Sequence, residues 1–239
     1  MHRRIVSWIK EQVKKAGAKG IVLGLSGGVD SALVAALAKK ALGKSKVLAL
    51  FLPCHSALQD SQDASLVARR LGIKTKKVDL SSVYDVLIKI LPAANGTAIA
   101  NLKPRLRMII LYYFANKLKY LVCGTGNKSE IMTGYFTKYG DAGVDILPIG
   151  GLLKREVRNL AEELGVPEQV IAKSPTAGLW AGQTDEGEMG IAYAELDEIL
   201  EGMPKRRRRV SCNRNLRKVQ KMVQGSGHKR QMPPVCEVK

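Results

Sequence analysis

The sequence predicts an α/β fold in which helices flank both faces of a doubly wound parallel sheet. Two observations lead to this fold class. Short apolar runs alternate with longer stretches of helical spacing, which is typical of repeated βα units. The chain of 239 residues is 46% hydrophobic, which is enough for one sizeable core. We therefore expect a single domain over residues 1–239.

The first half of the chain supplies the regular elements. An amphipathic helix opens it, because Ile5, Trp8, Ile9 and Val13 recur at helical spacing. Strands are then predicted at 20–25, 47–52, 73–78 and 120–123. Helices are predicted between them, at 32–42, 60–71, 83–90 and 105–118. Gly72 is predicted as a helix C-cap.

The alternation of predicted strands and helices stops after about residue 135. A helix is predicted at 153–164, and a long polar loop of the kind that is often functional follows at 174–190. Shorter helices are predicted at 193–200 and around the apolar stripe Leu216, Val219 and Val223. Residues 203–239 are predicted to be a basic, flexible segment.

Charge and cysteine usage limit the function classes. The net charge is +18, and residues 203–239 carry five lysines and seven arginines against one acid, Glu237. The run Lys205–Arg209 is either a nucleic-acid patch or a solvated basic surface. Because no aromatic residue follows Tyr193, base stacking there is not available and nucleic-acid binding is not favoured.

No apolar run has the roughly 20 residues that span a bilayer, and the first residues lack the apolar region of a signal peptide. We therefore expect a cytoplasmic protein without membrane contact. The cysteines show no C-x-x-C spacing, which predicts reduced structural thiols and no zinc site. They are Cys54, Cys123, Cys212 and Cys236.

The segment from Gly24 to Ser31 joins the first predicted strand to an alanine-rich helix. A glycine-rich turn of this kind presents free backbone N–H groups to an anion at the start of the helix. It lacks the Gly-Lys-Ser/Thr ending of a Walker A loop and the third glycine of the dinucleotide fingerprint. Its Ser-Gly-Gly-x-Asp-Ser pattern resembles the pyrophosphate loop of the ATP pyrophosphatase superfamily. A tight turn that binds no ligand remains the alternative.

A second polar cluster follows the fourth predicted strand, from Gly124 to Asp141. Taken with the 24–31 loop, the Ser174-Pro175-Thr176 segment and the terminal His228-Lys229, it closely resembles the ammonia-dependent NAD synthetase family. The likeness runs from about residue 5 to Pro234. Relatives that share only the first loop, such as GMP synthetases or tRNA-modifying ligases, lack the second cluster.

The resemblance implies a ligase that joins ammonia to deamido-NAD with ATP and yields NAD, AMP and pyrophosphate through a nicotinoyl-adenylate. No glutaminase portion precedes this sequence, so ammonia itself is the expected nitrogen donor. A homodimer and Mg²⁺ are also implied. An ATP pyrophosphatase that acts on RNA and a non-catalytic nucleotide-binding module remain open as alternatives.

The resemblance also implies roles for individual residues. Lys154 and Asp30 are implied to be catalytic, and Asp30 and Glu130 to hold Mg²⁺. The ATP-binding set comprises Gly24, Leu25, Ser26, Gly27, Gly28, Val29, Asp30, Ser31, Thr125, Lys154 and Thr176. The deamido-NAD-binding set comprises Arg105, Lys138, Asp145, His228 and Lys229. The alternative for each charged residue is an ordinary solvated side chain, or, for the last two, a frayed terminus.

Overall fold

The computed structural model describes residues 1–180, 182–203 and 214–238. Its strands are β1 (Gly20–Gly24), β2 (Val47–Phe51), β3 (Lys74–Lys77) and β4 (Tyr120–Val122). They form one parallel sheet in the order β3-β2-β1-β4. The register pairs Leu23 with Ala49 and Val22 with Val122. The predicted parallel sheet is confirmed, and β1 lies between β2 and β4 at its centre.

The longer helices lie where the sequence predicts them. They are α1 (His2–Lys15), α2 (Val29–Leu42), α3 (Leu58–Leu71), α4 (Ser81–Ile90), α6 (Leu102–Leu118), α8 (Lys154–Glu163), α11 (Tyr193–Gly202) and α12 (Arg214–Gly225). The sequence did not reveal the short helices α5 (Gly96–Ala100), α7 (Lys128–Thr133), α9 (Glu168–Ala172) and α10 (Asp185–Met189). A helix of five or six residues is too short to display a periodic apolar face. Gly72 caps α3 in the left-handed conformation, as predicted.

The two faces of the sheet bury separate cores, as a doubly wound fold requires. Ile21 and Leu23 of β1 face the larger core, which α1, α2, α3 and α8 cover. Val22 points the opposite way, into a smaller core with Phe114 of α6. The alternation follows from the two-residue period of a strand. The edge strand β3 is exposed and carries three lysines, which discourage pairing with another sheet.

A third cluster of buried side chains is formed by residues outside the four strands. It includes Leu153, Leu196 of α11 and Val219 of α12. The expectation of a flexible tail is therefore wrong for residues 214–230, because the stripe Leu216 and Val219 is buried. The basic run Lys205–Arg209 and Cys212 lie outside the described residues.

Among the described residues, no helix is both long and apolar enough to cross a membrane. Cys54 and Cys123 are buried free thiols, as predicted for structural cysteines. Burial raises the pKa of both, so neither is an activated nucleophile.

Candidate active site

A cavity of about 520 Å³ opens beyond the carboxyl ends of β1, β2 and β4. This is where parallel α/β sheets bind their ligands. Segments that lie far apart in the sequence line its wall: the loop after β1, the ends of β2 and β4, and the segment that follows α9. The sequence-predicted residues that line it are Gly24, Leu25, Ser26, Gly28, Val29, Asp30, Ser31, Thr125, Glu130, Lys154, Thr176 and Lys229.

The loop between β1 and α2 is braced by its own serines. Ser31 Oγ donates to the carbonyl of Gly28 at 2.9 Å and accepts the N–H of Ser26 at 3.2 Å. Gly28 is the N-cap of α2, so the N–H groups that follow it have no partner within the helix. The loop therefore has the rigid, donor-rich form that an anion requires.

Gly27 has a structural reason to be glycine. Its φ is +85°, and an added Cβ would lie 2.5 Å from the carbonyl oxygen of Asp60. The loop therefore lies directly against the first turn of α3, with no room for a side chain between them.

Lys154 joins the two carboxylates that the sequence predicts as metal ligands. Its Nζ donates to Asp30 Oδ2 at 2.7 Å and to Glu130 Oε1 at 3.1 Å. Only 2% of its side chain is exposed, against 16% for Asp30 and 17% for Glu130. The carboxylates therefore face one point, and that point is occupied by an ammonium group.

Asn127 orients both carboxylates, a role that the sequence analysis missed. Its Nδ2 donates to Asp30 Oδ1 at 2.8 Å. Its Oδ1 accepts the N–H of Glu130, and its own N–H donates to Glu130 Oε2, which completes a capping box at the start of α7. The signal was present in the sequence, since Asn127-Lys128-Ser129-Glu130 has the spacing of such a box.

We expect Asn127→Ala to lower the free energy of unfolding by about 1–2 kcal/mol, because the helix loses its N-cap and Asp30 loses a buried partner. Chemical denaturation measures this change. Asn95→Ala is the matched control, because Asn95 caps the short helix α5 at an exposed position. An Asn127→Ala loss no larger than that of the control would contradict the orienting role.

The electrostatics of the cluster are set by burial and by the three charges. Burial raises the pKa of Glu130 to about 7, with Lys154 opposing the rise and Asp30 adding to it. Burial by itself would lower the pKa of Lys154, but Asp30 and Glu130 outweigh it and the net shift is upward. The lysine is therefore held in its charged form.

Two further polar residues, which no sequence motif had indicated, extend the cluster. Tyr193 OH lies 3.1 Å from Asp185 Oδ2 and 3.4 Å from Glu130 Oε1, and its ring centroid is 4.9 Å from the Lys154 ammonium. Burial raises the pKa of both Tyr193 and Asp185. Asp185 Oδ1 is buried without a hydrogen-bond partner.

The set predicted to contact deamido-NAD is only partly gathered. Arg105 donates to the carbonyl of Lys138 at 3.4 Å, and Lys138 Nζ donates to the carbonyl of His228 at 2.6 Å. Lys229 Nζ is held by the carbonyls of Gly134 and Phe136. Of the five residues in this set, Lys229 alone lines the cavity.

Asp145 lies apart from that cluster. Its Oδ2 accepts the N–H of Val122, and its Oδ1 accepts the hydroxyl of Tyr112 at 3.0 Å. This hydrogen bond and burial together raise the pKa of Tyr112 to about 12. In this structure Asp145 therefore stabilises the end of β4.

Asp30 and Glu130 are the residues of this cluster that could hold a hard divalent cation. Asp30 Oδ2 and Glu130 Oε1 already share one cation, and carboxylate oxygens are the ligands that Mg²⁺ prefers. Within the described ranges no group of three or more Asp, Glu, His or Cys residues is arranged for a metal. The remaining ligands would therefore be phosphate and water oxygens, as is usual for Mg²⁺.

Comparison with known proteins gives a consistent result. The model of the NAD synthase family matches residues 1–233. An NH(3)-dependent NAD(+) synthetase of Archaeoglobus fulgidus is 52% identical over 238 residues, covering 99% of this chain and 96% of the relative.

Two solved structures are also similar over 99% of this chain and 97% of theirs. One is an NMN synthetase from Francisella tularensis, with a TM-score of 0.91 and 37% identity. The other is an NH3-dependent NAD synthetase from Campylobacter jejuni, with a TM-score of 0.85 and 32% identity.

Proposed function

Because this chain belongs to the NAD synthase family, we propose that it converts deamido-NAD, ATP and ammonia to NAD, AMP and pyrophosphate, the final step of NAD biosynthesis. The observation in the site that supports this reaction best is the buried ammonium of Lys154 between Asp30 and Glu130. It lies beside the glycine-rich loop of residues 24–31, which we call the phosphate loop. This is an arrangement of charge suited to a polyphosphate and its cation.

The reaction needs activation, because a carboxylate has no usable leaving group. Its oxygen attacks the α-phosphorus of ATP and expels pyrophosphate, which leaves an acyl-adenylate. Ammonia then attacks the acyl carbon, AMP departs with the bond electrons, and nitrogen releases a proton. Negative charge develops on phosphate oxygens in the first step, so fixed cations and N–H donors lower its barrier.

The chain's own residues divide this work. The N–H groups at the start of α2 and the hydroxyls of Ser26 and Ser31 bind the pyrophosphate portion. Lys154 stabilises charge at the α-phosphorus. Thr125 and Thr176, which both line the cavity, contact ATP. Asp30 and Glu130 would hold Mg²⁺, which neutralises phosphate charge when bound.

Incubation with ATP, MgCl₂, deamido-NAD and ammonium chloride tests the reaction, and NAD and AMP are expected in equal amounts. ATP binding without NAD formation would overturn the proposal. The same assay separates the alternatives, since AMP formation that requires tRNA would indicate an RNA-directed ligase. A nucleotide-binding module would form no AMP at all.

A mononucleotide substrate is the second candidate, because one similar structure is that of an NMN synthetase. We favour the dinucleotide because of three basic residues near the cavity. Arg105 donates to the carbonyl of Lys138, Lys138 donates to the carbonyl of His228, and the next residue, Lys229, lines the cavity. Deamido-NAD is expected to give a kcat/KM at least tenfold above that of nicotinate mononucleotide. A tenfold ratio corresponds to roughly the free energy of one charged hydrogen bond, which the smaller substrate would lack. A reversed ratio would select the second candidate.

We also include a homodimer in the proposal. Val83, Val86 and Ile90 form an exposed apolar stripe on α4. Ile109 and Tyr113 form another on α6, and Arg105 continues that stripe one turn earlier. A dimer on this face would bring Arg105 to the subunit interface. We place the reaction in the cytoplasm, where Cys54 and Cys123 would remain reduced.

Sedimentation velocity tests the dimer, and we expect Ile109→Asp to convert it to monomers because a buried unpaired charge opposes association. Leu58→Asp, at an apolar residue of α3 that is 75% exposed, is the matched control. A dimer that persists in Ile109→Asp would exclude this face.

A further inference from the structure

Lys173 forms a second, partly buried ionic cluster, separate from the one around Lys154, and both Lys173 and Asp60 line the cavity. Its Nζ lies 2.8 Å from Asp60 Oδ1 and 2.8 Å from Asp63 Oδ2. Asp63 is only 3% exposed and also accepts hydrogen bonds from Gln59 and Gln169. The two ion pairs hold the three side chains in fixed positions relative to one another. None of the three residues belongs to the sets predicted to bind ATP, deamido-NAD or Mg²⁺.

The carboxylates of this cluster lie on the part of α3 that contacts the phosphate loop. An added Cβ at Gly27 would lie 2.5 Å from the carbonyl of Asp60, 3.1 Å from Asp63 Cβ and 3.2 Å from the N–H of Ala64. Any shift of the first turn of α3 is therefore transmitted to the loop, because close-packed groups cannot absorb it.

Lys173 also begins a segment that forms another part of the cavity wall. The next residues, Ser174, Pro175 and Thr176, line the cavity. The segment has other attachments among the described residues. The carbonyl of Pro175 accepts the N–H of Asp185, the carbonyl of Leu179 accepts a hydrogen bond from Lys103 Nζ at 2.7 Å, and the N–H of Leu179 donates to Gln183 Oε1 at 2.8 Å. The ion pairs of Lys173 hold the beginning of this segment against α3.

Burial alone would raise the pKa of Asp63, but the hydrogen bonds from Lys173, Gln59 and Gln169 outweigh it and lower that pKa. Burial alone would lower the pKa of Lys173, and its two carboxylate partners outweigh it in turn. Lys173 and Asp63 are therefore both charged at neutral pH.

We propose that Lys173 is a positioning residue: through Asp60 and Asp63 it locks the segment that begins at Ser174 to the phosphate loop, so that Thr176 and the loop act on the same ATP. This rests on the proposed function for the identity of the ligand. The geometry itself depends only on the three charges and on the contact at Gly27.

The variants are Lys173→Met, which removes the charge but keeps the stem, and Lys173→Arg, which restores it. Lys15→Met is the matched control, because Lys15 pairs with Glu11 on the exposed face of α1. Should Lys173→Met fail to fold, Asp60→Asn takes its place, since it weakens one ion pair and leaves the pair with the more buried Asp63.

Hydrogen exchange of the ligand-free protein gives the first readout. Lys173→Met is expected to speed exchange about tenfold or more in residues 174–180 and also in 24–31, the phosphate loop, because both have lost their common support. Lys173→Arg and Lys15→Met are expected to match the wild type. Faster exchange in 174–180 alone would overturn the proposal, because it would show a local anchor without coupling.

Calorimetry with Mg-ATP and steady-state kinetics give the second readout. In Lys173→Met the Kd and KM for ATP are expected to rise about tenfold, with kcat changed less than about threefold, as for a lost binding geometry. An unchanged Kd would overturn the proposal. These outcomes are distinct from failure of the proposed function, since exchange and ATP binding are measured without deamido-NAD or ammonia.

Discussion

Replacing Lys154 by methionine is expected to lower turnover by about 10²-fold or more while the Kd for ATP changes little. The reason is that its ammonium would stabilise charge that develops at the α-phosphorus only as the reaction proceeds. Methionine keeps the length and the apolar stem of the side chain and removes the charge, together with the contact of the ammonium with the Tyr193 ring. Single-turnover formation of AMP measures the chemical step directly.

Lys128→Met is the control for loss of a lysine in the same region, because Lys128 opens α7 but is absent from the cavity wall. It is expected to retain turnover within about threefold. A Lys154→Met protein whose KM alone changed would contradict a role in the transition state.

The same substitution has a signature that does not depend on turnover. Without Lys154, the carboxylates of Asp30 and Glu130 face each other with no ammonium between them. Breaking a buried ion pair in this way lowers the free energy of unfolding by about 3–5 kcal/mol. Thermal unfolding in EDTA is expected to occur at a clearly lower temperature than in the wild type. Added MgCl₂ is expected to raise it more in Lys154→Met than in the wild type, since the metal would no longer compete with an ammonium. Equal responses would show that Lys154 does not occupy the cation position.

Asp30→Asn and Glu130→Gln are expected to produce the second large effect. Each replaces a carboxylate by an amide of the same shape, which removes one negative ligand from the point that both residues face. We expect turnover to fall by about 10²–10³-fold and the Mg²⁺ concentration for half-maximal rate to rise, since hard cations bind neutral amides weakly.

Glu163→Gln is the matched control, because Glu163 is an exposed carboxylate on α8, the helix that carries Lys154. It is expected to leave the Mg²⁺ titration unchanged. If Asp30→Asn left the titration equally unchanged, Asp30 would not be a metal ligand.

Glu130→Gln should also change the pH dependence of stability without metal. The pKa of Glu130 rises from 4.5 to about 7 on folding, so the folded state binds this proton more tightly than the unfolded state. The stability from this group is full below its unfolded pKa and is lost as pH rises through about 7. Denaturation across this range in EDTA is expected to show that loss in the wild type and a smaller one in Glu130→Gln.

Much of the fold could be predicted because it depends on neighbouring residues. The strands around Ile21 and Leu23, the helix after Ser31 and the cap at Gly72 each follow from patterns spanning a few positions. The resemblance to the NAD synthase family could be predicted for the same reason, because the loops that carry it are continuous segments of the sequence. The family model confirms it. The helix Arg214–Gly225 could also be predicted from its apolar stripe, but its packing against the domain was not predicted, because the basic charge of the C-terminal segment favoured a flexible tail.

Local patterns along the chain were enough to predict the alternation of strands and helices, the phosphate loop and the candidate charged residues. The folded chain was needed to see that Lys154 lies between Asp30 and Glu130, that Asn127 orients both, and that Lys173 pairs with carboxylates of α3. The difference lies in the sequence distance over which each interaction acts. Capping and periodicity act within about four residues of the chain, whereas Lys154 and Asp30 are 124 positions apart and meet only because β1 and α8 share one core.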